Sequence, residues 1–374
     1  MAAARICPGS VLHVGSSIAD TEDSYWADAK ELGVLPSYPT KVLIGHRKAV
    51  CMARFTPDSQ RVLTASYDHT ARIFDAQSGV CERTFDGHAG TVHWAAASPD
   101  SAKVVTASAD RTAMIFDVAT GLCERTLEGH RGEIYMAVFS ADGSRVLTAS
   151  GDRGSRLFSV ATGKCEQRFA GHTQAVSMAT FSPDGTRVLT ASHDCHARLF
   201  AVETGACEQV FKGHSGHVYM AAFSPDARKV LTASSDKTAK LFDIETGECE
   251  RAFGNHAASV YMASFSMDAS QVLTACADGF ATLFDAATGA TVRTFLGSVN
   301  RALHTAAFSP DGHRVLTASD DRCVRIFLAD TGECESTFEG LGDHVYTAVW
   351  SPDSRLVLTA SDDTTAKLFS AEPA

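Results

Sequence analysis

The stretch VLTASSDKTAKLFD, residues 230–243, decides the fold. It holds two short runs rich in Val, Leu, Thr and Phe, parted by Ser235-Asp236-Lys237, and so reads as two strands joined by a tight turn. Working outward, the apolar segment Val218 to Phe223 precedes it and is closed by Ser224-Pro225-Asp226, a turn signal. The two central strands run from Lys229 to Ser234 and from Thr238 to Phe242. After them Glu245-Thr246-Gly247 makes another turn, and Cys249 to Phe253 forms a last strand. Residues 214–256 are therefore one unit of four short strands.

The unit recurs. The Phe that ends the quoted phrase falls at Phe74, Phe116, Phe158, Phe200, Phe242, Phe284, Phe327 and Phe369. The steps are 42 residues, with a single step of 43 between the sixth and seventh copies. Uniform spacing means one supersecondary unit copied with almost no loop insertion. Both faces of each unit carry apolar or small residues, which suits sheets stacked radially between like neighbours.

The ends of the repeat array argue for a ring over an open solenoid. The last strand-like segment, Lys367 to Phe369, is the third of its unit, and its missing fourth stands at Lys41-Val42-Leu43-Ile44, just before Gly45-His46. The expectation is an all-β chain, a single eight-bladed β-propeller of four-stranded antiparallel blades over residues 41–370. The N-terminal strand would complete the last blade and leave no large unpaired edge. Residues 1–40 form an extension and residues 371–374 a tail. Within the extension, Ala19 to Leu32 suits a short helix, capped by Asp20 or Thr21 and stopped by Gly33. Tyr25, Trp26, Ala29 and Leu32 would share one side, as a plug on the ring or a partner-binding arm.

Composition narrows the function classes. The chain is 45% hydrophobic and 21% charged, with a net charge of −11, the balance of a soluble globular protein that does not favour nucleic acid or anionic membranes. No apolar run is long enough to insert into a membrane. The N-terminus, with one Arg and an interrupting Pro, makes a poor secretory signal. Six of the 11 cysteines (Cys81, Cys123, Cys165, Cys207, Cys249 and Cys334) share one repeat position. Equivalent positions in different blades are too far apart for disulfides, so the expectation is reduced thiols in an intracellular, cytoplasmic protein, with cytoskeletal or ciliary association open.

With these motifs in place, the sequence resembles the WD40 family. Gly-His appears at Gly45-His46, Gly87-His88, Gly129-His130, Gly171-His172 and Gly213-His214, with Asn255-His256 as the sixth copy. The turn Asp is present in all eight units: Asp68, Asp110, Asp152, Asp194, Asp236, Asp278, Asp321 and Asp363. The family's structural network of Thr or Ser, His, Asp and Trp maps in the first unit onto Thr64, His46, Asp68 and Phe74. Phe replaces Trp throughout, so the indole hydrogen bond is lost in every blade. The resemblance implies a Thr–His–Asp chain in blades one to six. Blades seven and eight carry Ser298 and Leu341 where the His belongs, so Asp321 and Asp363 need other partners.

The resemblance also implies that the residue five after each Gly-His histidine faces the rim of the central channel on the top surface, where partners dock. These residues are Cys51, His93, Tyr135, Ser177, Tyr219, Tyr261, His304 and Tyr346. His217 and His344 stand two residues earlier in their blades, and Asp320, Asp343 and Asp362 add acid nearby. Tyr135, Tyr219, Tyr261, Tyr346, His217, His304, His344, Asp320 and Asp362 thus form a candidate Tyr/His platform with an acidic edge for proteins or peptides carrying basic residues. The plainer alternative is that Tyr is the repeat's habitual packing residue. Thr–His–Asp imitates a nucleophilic triad, but it recurs six times in a buried setting without an oxyanion hole. His193-Asp194-Cys195-His196 imitates a metal cluster without metal-ligand spacing. No catalytic residue, metal site or cofactor is expected.

These readings converge on a non-enzymatic scaffold or adaptor, monomeric or a subunit of a hetero-complex. The alternatives are a constitutive structural subunit of a large assembly, an adaptor similar to those of ciliary dynein-arm transport, and, least favoured, an enzyme or small-ligand binder using the central channel.

Overall fold

The computed structural model describes residues 36–254, 256–298 and 301–372. The expected helix over Ala19 to Leu32 lies outside the described residues. Seven of the eight sheets place four consecutive strands side by side, and the eighth joins the last three strands of the ring to an N-terminal strand. In the first blade these are Val50–Phe55, Arg61–Ser66, Ala71–Asp75 and Cys81–Phe85, all antiparallel. The first strand of each blade is innermost, and innermost strands of consecutive blades touch all the way round, including Val50–Phe55 against Val345–Trp350. The ring is closed as the repeat count requires.

Closure follows the expected route. Lys41–Leu43 pairs antiparallel with Ala366–Ser370, in the register Lys41 to Leu368, Val42 to Lys367 and Leu43 to Ala366. An addition was not foreseen: Pro36–Ser37 lies parallel to Thr337 and Phe338 on the outer edge of blade seven, making that sheet five-stranded.

Local chemistry explains the uniform turns. On the lower face, Ser224 Oγ donates to Asp226 Oδ1 at 2.5 Å and accepts from the Lys229 amide at 2.9 Å, closing the turn between the first two strands. The turn between the last two strands uses Gly247 at φ +72°, a left-handed conformation that a Cβ disfavours.

Blades are joined by apolar contact and by a hydrogen-bonded clamp. The Phe closing one blade's outer strand packs on the third-strand Phe of the next: Phe85 on Phe116, Phe253 on Phe284 and Phe338 on Phe369, with ring centroids 5.2, 5.3 and 4.6 Å apart. The third-strand Phe thus fills the family's Trp position as an apolar seam residue. Near the lower face an outer-strand side chain reaches a carbonyl in the next blade's turn: Arg83 to Ala119 at 2.7 Å, Arg125 to Ala161 at 2.9 Å, Gln209 to Glu245 at 3.1 Å. Lys41 repeats the contact to Ala76 at 3.2 Å, across the seam where the ring closes.

Candidate functional site: the Gly-His face

The Gly-His loops all lie on one face of the ring, which also carries the turns between second and third strands. In blades one to five the expected network is present. His46 Nε2 is 2.8 Å from Thr64 Oγ1 and Nδ1 is 2.9 Å from Asp68 Oδ2. His88, His130, His172 and His214 repeat this with Asp110, Asp152, Asp194 and Asp236 at 2.7–2.8 Å. The same aspartates accept the amide following each His, as Arg47 N to Asp68 at 3.0 Å shows. Burial holds His46, His88, His172 and His214 below the ordinary histidine range, with the neighbouring Asp opposing. These imidazoles are therefore neutral loop anchors, buried in every copy.

Blade six departs. His256 Nε2 still reaches Thr274 Oγ1 at 3.1 Å, but Nδ1 is 4.0 Å from Asp278 Oδ2, beyond hydrogen-bonding distance. Cys276 stands where the other blades have Ser, and burial pushes its thiol up to about 12. In blades seven and eight a cation replaces the missing imidazole. Arg325 Nη1 reaches Asp321 Oδ2 at 2.7 Å and also bonds the Gly297 carbonyl, while Lys367 Nζ bonds Asp363 Oδ2 directly. Both cations are buried.

Around the channel mouth, each innermost strand has a bulge after its first residue, as between Val50 and Met52. A bulge re-aims the extra side chain, here the rim residue of the sequence reading. Most rim rings meet in two arcs. One runs Tyr346, Tyr67, His93, Tyr135, with centroids 6.4, 6.3 and 6.1 Å apart. The other runs His193, His217, Tyr219, Tyr261, His304. Here His193 and His217 lie 4.5 Å apart, and Tyr261 stacks on His304 at 5.6 Å and 22°. Cys51 and Ser177 interrupt the ring: both are buried and bond carbonyls of the next blade, Val92 at 3.2 Å and Val218 at 3.0 Å.

Most of the platform residues named from the sequence lie in blades five to eight; the first arc carries the aromatic surface on through blades one to three. Tyr67 and His193 were missed. They occupy the residue before the turn Asp, the position that holds Asp320 and Asp362 in the last two blades, so its variation was the available signal.

Asp320 bridges the gap between His304 and blade eight. Its Oδ1 is 2.5 Å from His304 Nε2 and 3.4 Å from His344 Nδ1. Burial disfavours the Asp320 carboxylate, but its hydrogen bond to His304 and its close contact with His344 outweigh that and hold the carboxyl well below its usual range. The close contact with Asp320 raises His344 above the ordinary histidine value against its partial burial, helped by the charges of Asp320, Asp343 and Asp362. Asp362, half-buried, donates its amide to the His344 carbonyl at 3.0 Å.

Other residues separate. Asp194 belongs to His172, Cys195 takes a left-handed φ of 70°, and His196 bonds the Asp194 carbonyl at 2.6 Å, so the His193–His196 quartet does not converge. All ten described cysteines are free thiols. Deeper on the innermost strand of blade one, the Arg54 guanidinium lies 4.6 Å from the Trp94 ring centroid, and no carboxylate among the described residues pairs with it. Burial lowers its pKa to about 10.

Comparison with known proteins agrees with this geometry. The family model described as WD domain, G-beta repeat matches residues 37–75, 79–117, 121–159, 163–200, 205–243, 289–327 and 332–370. The passage it leaves out holds the inner strands of blade six. No curated protein matches the sequence. Many solved chains share the fold. One is the computationally designed Ika8 protein, 23% identical, with a TM-score of 0.78 over 90% of this chain and 99% of that one, a likeness of fold alone. With seven matched repeats and an eighth built from the same four strands, the chain belongs to the WD40 family of WD-domain, G-beta repeat proteins.

Proposed function

We propose that the chain is a non-enzymatic interaction scaffold whose Gly-His face holds partner proteins or peptides carrying basic residues. WD40 propellers are in general protein-interaction scaffolds, and the reading rests on one observation: the two arcs of Tyr and His at the channel mouth, joined to blade eight through Asp320. Tyr and His offer flat, rigid contact area with polar tips, the kind of surface that concentrates binding energy. Asp320, Asp343 and Asp362 give one side of the mouth a negative edge that complements Lys or Arg. The repeated Thr–His–Asp sets anchor loops and are assigned no catalytic part.

Affinity purification of the tagged protein from its own cell extract, at low and high salt, tests this. The expected result is a small set of partners, weakened by salt and lost in the Tyr219→Ala/Tyr346→Ala variant. Partners that persist unchanged in that variant would remove the rim from the binding surface.

One observation favours a second reading, a built-in subunit of a larger assembly. In blade six the outward Lys/Arg–Glu pair of blades one to five and seven, such as Lys229–Glu250 at 2.7 Å, is replaced by Gln271 and Val292. Val292, Leu296 and Phe280 are all exposed there, and Phe280 is cross-strand from Leu296. A single salt-resistant complex in the same purification would support this reading and move attention to that edge.

A further inference from the structure

We propose that His256, Cys276 and Asp278 in blade six form a binding site for a divalent transition-metal ion of the zinc class. One donor atom from each, an imidazole nitrogen, a thiol sulfur and a carboxylate oxygen, lies within 4.8 Å of both others. Among the described residues this is the one group of His, Cys, Asp or Glu so gathered. The mixed nitrogen, sulfur and oxygen set suits a borderline-soft cation.

Comparison with the chain's own other blades shows what is different. In blades one to five the corresponding residues are His, Ser and Asp, and His Nδ1 sits directly on the carboxylate at 2.7–2.9 Å. That hydrogen bond leaves no room for an ion. In blade six the separation is 4.0 Å and the Ser is replaced by Cys. Ordinary zinc–ligand bonds of about 2.0–2.3 Å put donor atoms roughly 3.2–3.8 Å apart in a tetrahedral site. A contraction of at most about 1.6 Å would seat the ion, with a water in the fourth position.

The surroundings already orient the donors. Thr274 Oγ1 donates to the Thr282 carbonyl at 3.2 Å and so accepts from His256 Nε2 at 3.1 Å, which leaves the Nδ1 lone pair turned towards Asp278. Amides of Ala257 and Phe280 hold the Asp278 carboxylate at 2.9 and 3.1 Å. On binding, the cation displaces the Cys276 thiol proton to solvent. Thiolate and carboxylate then neutralise its two charges, and His256 ligates as the neutral base.

The test uses the full chain, stripped with a chelator and titrated with Co²⁺ and then Zn²⁺. The expected result is one equivalent of Co²⁺ with a near-ultraviolet thiolate–cobalt absorption band, bleached by one equivalent of Zn²⁺. Cys276→Ser installs the residue seven sister blades carry, so it should fold with an unchanged circular dichroism spectrum and lose both band and equivalent. Asp278→Asn should keep the band and weaken Co²⁺ binding at least tenfold. No stoichiometric binding by the wild type overturns the proposal. So does a band that survives Cys276→Ser, because it would come from the exposed cysteines.

Discussion

In blade seven the Arg325 guanidinium lies 2.7 Å from Asp321 Oδ2, taking the place that a histidine holds opposite the turn Asp in blades one to five. Both side chains are largely buried, at 6% and 13% exposure, so removing one strands the other's charge. Arg325→Met should therefore destabilise the protein by about 3–5 kcal/mol, whereas Arg325→Met/Asp321→Leu should recover most of that loss. Urea denaturation of the single and double variants reads both values; an equal loss in the two would mean that the pair adds nothing beyond packing.

Acid should weaken the fold before any carboxylate protonates. Burial depresses His46, His88, His172 and His214 in the folded state, while the unfolded chain takes up those protons near pH 6.5. The unfolded state then binds more protons, so stability falls as pH drops below about 6.5. Asp68 and Asp152, held at about 2, contribute stability that is lost only in strong acid. A Tm that declines as pH falls from about 6.5 to 5 is the expected record; a flat profile over that range would count against four neutral buried imidazoles.

His344 behaves oppositely, because Asp320 raises it. Its contribution is complete below the unfolded histidine pKa and fades as pH rises through the folded value. Asp320→Asn should shift the His344 NMR titration to lower pH while leaving the His88 signals in place. An unmoved His344 curve would remove Asp320 as the source.

The ring depends on its first strand. Leu43 is 1% exposed and packs at the seam between blades eight and one, so Leu43→Ala should cost about 2–5 kcal/mol. Deleting residues 1–44 uncovers the Ala366–Ser370 edge, and light scattering should then show self-association.

Arg54 should be replaceable. It lies over Trp94 with no carboxylate partner among the described residues, at a level where other blades have Ala96, Val138 and Ala222. Arg54→Met should leave stability unchanged or raise it by up to about 2 kcal/mol in urea denaturation.

Most of this architecture was legible in the sequence because it is written eight times. The 42-residue recurrence of Phe74 and its copies placed every blade, and Lys41 to Leu43 announced the closing strand. Thr64, His46 and Asp68 announced the loop network, which the structure forms in five blades and loosens at His256. What repetition could not show are the contacts that one copy makes alone. Arg325 and Lys367 occupy the same repeat position as Arg72, and only the loss of a neighbouring imidazole turns them inward. Cys276 looked like one more scattered thiol until the fold set it beside His256 and Asp278. Pro36–Ser37 follows no repeat pattern, so its place on blade seven had no signal.

The last blade unites residues 328 positions apart, as the bond from Thr40 Oγ1 to the Leu368 carbonyl shows. During synthesis the strand at Lys41–Leu43 is made long before its partner and has no sheet to join until Ala366–Ser370 has left the ribosome. The ring is therefore completed only after its last strands have been made, and closing so large a loop belongs to the slow class of folding events. Until then the nascent chain presents open strand edges, the kind of surface that makes partly folded chains prone to aggregate. Once shut, no blade can peel away from an end. Unfolding must first break a seam, which makes persistence in the cell a matter of rate as much as of equilibrium.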